Sequence, residues 1–85
     1  MQRITRYQIK AGRDLLGMTQ QQLCDAAGLP LITLRRLEGR PDHQGLVSDA
    51  TIFKLCAVME GLGVQFLEAG DQARGEGVAL RGDRP

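Results

Sequence analysis

No apolar run in the chain exceeds a few residues, and no basic stretch followed by a signal-length apolar segment opens it. Neither a membrane span nor a secretory signal is therefore expected, and the cytoplasm is the expected location. Cysteine is scarce. Cys24 and Cys56 lie far apart, which excludes a disulfide-stapled scaffold and fits reduced thiols. They are open to two readings, a redox pair or small packing residues, and their position on the apolar sides of expected helices favours packing. His43 is the only histidine, too little for a Cys/His metal site, and a Cys24–His43 nucleophile and base would lack an oxyanion hole. The glycine-rich stretch 69–77 lacks the Lys-Ser/Thr of a phosphate loop. With 85 residues there is room for one compact domain but not for a spacious catalytic pocket. No enzyme, metal or cofactor is expected, and no repeat or low-complexity segment interrupts the chain.

What the sequence does contain is unevenly distributed. The net charge is only +1, yet residues 1–40 hold Arg3, Arg6, Lys10, Arg13, Arg35, Arg36 and Arg40 against Asp14, Asp25 and Glu38, a balance of +4. Residues 41–85 hold four basic groups against seven acidic ones, a balance of −3. A basic N-terminal part and an acidic C-terminal part suit a chain that turns one end toward a polyanion.

Apolar spacing predicts four helices. The first runs over 5–16 with a stripe through Ile9, Gly12/Arg13 and Leu16, stopped by Gly17. Thr19 and Gln22 form a capping-box pattern that starts the second, whose Leu23, Cys24 and Ala27 share a face before Gly28. Pro30 suits the first turn of the third, over 30–38, with Leu34 and Leu37 inward. After a loop from Gly39 to Val47, Ser48 caps the fourth, which carries Ile52, Leu55, Cys56 and Met59 and ends at Gly61 and Gly63. The period then changes. Val64 to Leu67 and Val78 to Leu80 predict a C-terminal β-hairpin, with a frayed tail over 82–85. Residues 1–63 and 64–85 are thus expected to be the helical body and an appended element of one domain.

The second helix, its glycine-centred turn and the third helix have the dimensions that let one helix lie across phosphates while the next enters the major groove. The residues Arg13-x-x-Leu16-Gly17-Met18-Thr19-Gln20, Leu23, Ala27-Gly28-Leu29 and Thr33-Leu34-x-x-Leu37-Glu38 carry a specific likeness. In these positions the chain resembles the lambda-repressor-like helix-turn-helix family, also called the Xre or Cro type, over about residues 8–62. The Gly63 to Leu67 and Gly77 to Arg81 segments are similar to a short-protein branch of it. The resemblance implies a mainly α, four-to-five-helix DNA-binding domain that regulates transcription, usually as a dimer on double-stranded DNA. An antitoxin-like or adaptor role, in which the partner is a protein, is the alternative within the same family.

Transferred to this chain, the resemblance puts Thr19 and Gln20 at a phosphate, in accord with the free amides of a helix N-terminus. The outer face of the third helix becomes Leu31, Ile32, Thr33, Arg35 and Arg36. Arg36 is the favoured base reader, because a guanidinium can bond both O6 and N7 of guanine. Arg35 reads a base or holds a phosphate, and Arg40 holds a phosphate. Leu31 and Ile32 depart from the polar residues usual there; they meet thymine methyl groups or pack on a neighbour. Pro30 replaces the usual hydroxyl cap. Arg13 and Glu38 take positions that pair in the family and tie the first helix to the end of the third. Val64, Phe66, Leu67, Val78 and Leu80 are more apolar surface than a lone hairpin buries, so a dimer interface is expected there, with Phe53 or Met59 adding to it. Folding back on the chain's own helices is the alternative.

Overall fold

The computed structural model describes residues 4–39 and 47–84. Four helices follow one another, α1 (Arg6–Leu15), α2 (Gln20–Ala27), α3 (Leu31–Leu37) and α4 (Asp49–Gly61). Helices this short are marginal in isolation, so their ends matter. Thr5 Oγ1 accepts from Gln8 N and Gln8 Oε1 accepts from Thr5 N, a closed capping box, and Thr19 with Gln22 repeats it. Ser48 Oγ accepts from Thr51 N at the start of α4.

The C-terminal ends share a second device. At α2 the chain enters the left-handed region at Gly28 (φ 65°), Gly28 N donates to Asp25 O and Leu29 N donates to Cys24 O. The same pair of bonds closes α1 around Gly17 and α4 around Gly63. In each case the next residue, Leu29, Met18 or Val64, is apolar and turns back onto the core. The stop signals thus also deliver three side chains to the interior.

α2 packs on α3 and α4, and α4 packs on α1. The core consists of Ile9, Leu23, Cys24, Ala27, Leu34, Leu37, Leu55, Cys56, Met59 and Phe66. α1 and α4 approach closely at Gly12, where an added Cβ would lie 2.8 Å from Met59 Cε and 3.3 Å from Val64 Cγ1. Burial pushes both thiols up. The Cys56 thiol reaches about 11, with the negative charge of Glu60 adding to the effect.

The C-terminal segment departs from expectation. Among the described residues there is no strand, so the β-hairpin is not formed. Val64 and Phe66 belong to the chain's own interior instead, and the Leu67 carbonyl accepts from Gln8 Nε2 at 3.1 Å. Once this run is committed to the body it has no apolar face left to offer a second strand. A side chain takes over where a ladder was expected: Gln65 Nε2 donates to Gln72 O and Gln65 Oε1 accepts from Arg74 N. Glu68 to Asp71 closes as a turn between them. The residues expected at a dimer interface therefore divide. Val64, Phe66 and Leu67 fold back on the same chain and Met59 is fully buried, whereas Val78, Leu80 and Phe53 stay outward. Residues 82–84 are described, and Arg84 N donates to Arg81 O in a turn.

Two outcomes follow from this packing. Gly12→Leu is expected to lower stability by about 1–3 kcal/mol in urea unfolding, because the added side chain enters space held by Met59 and Val64. The fold also prefers the neutral Cys56 thiol, so it binds that proton more tightly than the unfolded chain does. Its contribution is complete below the unfolded thiol pKa of about 8.5 and is lost as pH rises toward about 11. Across that window the wild-type chain should lose stability more steeply than Cys56→Ala.

Candidate nucleic-acid interface

The three residues Gly28, Leu29 and Pro30 join α2 to α3. Leu29 faces the core, and Pro30 stands at the N-cap of α3 in an extended conformation with no side-chain cap bond. Cys24 Sγ donates to Pro30 O at 3.7 Å, a weak bond that holds this turn to α2. The start of α3 is thus set by packing rather than by a cap.

At its other end α3 is held by charge. Arg13 Nε donates to Glu38 Oε2 at 2.9 Å and Arg13 Nη2 donates to Glu38 Oε1 at 3.0 Å, a two-bond fork. Arg13 Nη1 donates to Met18 O at 2.9 Å and lies 3.5 Å from Asp14 Oδ1. Gln20 Nε2 adds a third donor to Glu38, at 3.0 Å from Oε1. The Glu38 side chain is 3% exposed and that of Arg13 12%. The hydrogen bonds to Glu38, followed by its charge, hold the Arg13 guanidinium above its ordinary pKa against the opposing cost of burial. The guanidinium joins α1, the turn after it and the end of α3, and Gln20 ties the start of α2 to the same carboxylate.

Around α3, successive side chains turn by about 100°. With Leu34 and Leu37 buried and Leu31 packed on the core, Ile32 and Arg36 lie opposite the buried stripe, one turn apart, Ile32 half-buried and Arg36 exposed, with Thr33 and Arg35 on the flanks. Arg36 is exposed and has no hydrogen bond or ion pair among the described residues. Arg35 is half-buried, and its Nε is enclosed without a partner among the described residues. Thr33 and Arg36 line an open cleft of about 140 Å³ together with Val47, Ser48 and Thr51 from the start of α4.

Of the residues singled out in the sequence, Ile32, Thr33, Arg35 and Arg36 share the side of α3 away from Leu34 and Leu37, where Arg36 is exposed and the other three are half-buried, while Leu31 turns toward the interior. Gln20 is half-buried and its amide faces Glu38, not solvent alone. Thr19 is exposed, and its hydroxyl accepts the capping bond. Arg40 and His43 lie outside the described residues. Three contributors were not singled out beforehand. Ser48 and Thr51 border the cleft beside Arg36, and Arg6 comes to the end of α3, its Nη1 2.7 Å from where a Gly39 Cβ would stand. The guanidinium of Arg6 also rests 5.0 Å from the Tyr7 ring centre. Nothing local in the sequence relates Arg6 to Gly39.

Among the described residues, no three of His, Cys, Asp and Glu are grouped so as to hold a metal ion, and no helix is long and apolar enough to cross a membrane. No protein-family model matches the chain, and no curated protein or solved structure shows significant similarity to it.

The polar fork makes a stability prediction. Arg13→Met leaves the enclosed Glu38 carboxylate without its cation and is expected to cost about 3–5 kcal/mol in chemical denaturation. The double variant R13M/E38L, which removes both charges, should recover a large part of that loss.

Proposed function

We propose that this chain is a sequence-specific DNA-binding regulator of the lambda-repressor-like, Xre or Cro type, which inserts α3 into the major groove and acts as a pair of copies on a near-palindromic operator. The observation that carries the reading is the outward crest of α3. Ile32, half-buried, and Arg36, exposed, stand one turn apart, and among the described residues neither belongs to the core cluster or to an ion pair. A guanidinium and a branched apolar group at that spacing are suited to a guanine edge and a neighbouring thymine methyl. The packing of α3 does not require an arginine that has no partner among the described residues.

The start of α2 supplies the anchoring half. Its first amides have no partner within the helix. The Thr19 hydroxyl accepts from Gln22 N, which leaves its proton free for a phosphate oxygen. Gln20 acts chiefly by steadying Glu38. Arg6, Arg35 and Arg40 extend the phosphate contacts, in keeping with the +4 balance of residues 1–40. A cytoplasmic, non-catalytic role without a cofactor goes with this reading. Pairing follows from size, since one short helix reads too few base pairs to select an operator among competing sites. Two copies read enough if their α3 helices lie about 34 Å apart.

The exposed Phe53, Val78 and Leu80 favour a second reading, an antitoxin-like or adaptor module that holds a protein. Selection of bound sequences from a random duplex pool separates the two. Enrichment of a related, two-fold motif supports the regulator, and a pool with no enrichment at low salt sinks it. On the selected site Arg36→Ala should cost about 1–3 kcal/mol and relax the preference at one or two positions. Arg6→Ala should weaken all sequences alike and lower the salt slope by about one. Equal losses on all sequences for Arg36→Ala would make it a phosphate contact.

A further inference from the structure

A cleft of about 350 Å³ opens between the end of α4 and the segment that follows it, lined by Glu60, Val64, Gln65, Phe66 and Arg74. Its volume falls at the lower end of the roughly 300–1,000 Å³ of small-molecule sites. Two hydrogen bonds decide where Arg74 stands. Gln65 Nε2 donates to Gln72 O at 3.1 Å and Gln65 Oε1 accepts from Arg74 N at 2.9 Å, so the backbone that carries Arg74 is fastened beside the residues after α4. Val64 is placed by its amide, which donates to Met59 O, and Phe66 is buried in the core. The cleft is therefore lined by parts of the chain whose positions the fold sets.

The charges on it are opposite and uncommitted. Glu60 and Arg74 are both exposed, and among the described residues neither side chain makes a hydrogen bond or an ion pair, with the other or with a third group. An exposed carboxylate and guanidinium gain little by closing on each other. Both remain available to a ligand that offers each its counter-charge. Glu60 also stands in the last turn of α4, where the helix terminus adds partial negative charge and favours a cation.

We propose that this cleft binds a free α-amino acid, with the ligand's carboxylate on the Arg74 guanidinium and its ammonium on the Glu60 carboxylate. A guanidinium presents two parallel donors to a carboxylate. A carboxylate backed by a helix C-terminus suits an ammonium. An α-amino acid carries both groups on one carbon, whereas an inorganic anion leaves Glu60 unmatched and a simple amine leaves Arg74 so. Val64 and Phe66 border the space left for the ligand's side chain. The site goes beyond the DNA reading and is separate from it. Ser48 and Thr51, beside Arg36, lie at the start of α4 and Glu60 at its end; with a rise of about 1.5 Å per residue the two ends are about 18 Å apart. Binding here does not compete for α3.

Backbone amide resonances of the isotope-labelled full chain test this without DNA, so a negative result leaves the duplex selection to be judged separately. Each proteinogenic L-amino acid is added to about 10 mM, roughly ten times the millimolar Kd expected of two exposed charge contacts. At least one should shift the amides of Glu60, Gln65 and Arg74 in a saturable way. Its N-acetyl derivative, which lacks the ammonium, and its amide, which lacks the carboxylate, should each bind at least about tenfold more weakly. Glu60→Gln and Arg74→Gln, both at exposed positions, should abolish the shifts while the rest of the spectrum stays native. No shift at these amides with any amino acid overturns the proposal. Shifts that survive both substitutions overturn the placement of the ligand. Equal binding of the two derivatives and the parent amino acid overturns the zwitterion as the ligand class, and that comparison needs no variant to fold.

Discussion

The enclosed Arg13–Glu38 fork is the constraint on which the arrangement of the helices rests. α1 packs against α4, and α2 packs against both α3 and α4, but α1 and α3 share no extensive contact of their own. The guanidinium spans that gap with two bonds to Glu38 and a third to the Met18 carbonyl, while Gln20 adds a second donor to Glu38 Oε1. A carboxylate so enclosed is costly unless it is paired and hydrogen-bonded, and here three donors from two different helices reach it. The bond to Met18 also fixes the turn between α1 and α2. Shifting any one of these elements would strand a buried charge.

That constraint explains how a helix of seven residues can stand with its outer face unsupported. α3 lacks a side-chain cap at Pro30 and is too short to persist alone. Leu34 and Leu37 anchor its inner face, the glycine turn at Gly28 sets its approach, and Glu38 holds its far end. With three attachments on one side, Ile32 and Arg36 on the other lie outside the core cluster, and Arg36 makes no bond among the described residues.

Two glutamines do the work that a β-ladder was expected to do. Gln8 closes the capping box of α1 through its oxygen and holds Leu67 through its nitrogen, so one amide serves helix start and tail together. Glutamate would cap as well but could not donate. Gln65 in the same way presents a donor and an acceptor to Gln72 and Arg74. The tail is thereby fastened up to Arg74, and the apolar residues after it remain outside.

The helices and their limits were legible in the sequence because the signals are local. Thr19 with Gln22, Gly17, Gly28 and Ser48 act on amides and carbonyls within a few residues, and Leu23, Cys24, Ala27, Leu34, Leu37, Leu55 and Met59 keep helical spacing. The outward set on α3 was readable for the same reason, as the complement of Leu34 and Leu37. Only the tertiary structure decided between packing and exposure where both were open to a residue: Leu31 went inward, Gln20 joined Glu38, and Arg6 came to the end of α3. The apolar alternation of Val64 to Leu67 fits a strand and an extended core segment equally well, since the two share backbone geometry. The choice fell to the core because Val64 closes the end of α4 and Phe66 finds a place in the interior, so burial on the same chain came before any pairing with Val78 and Leu80.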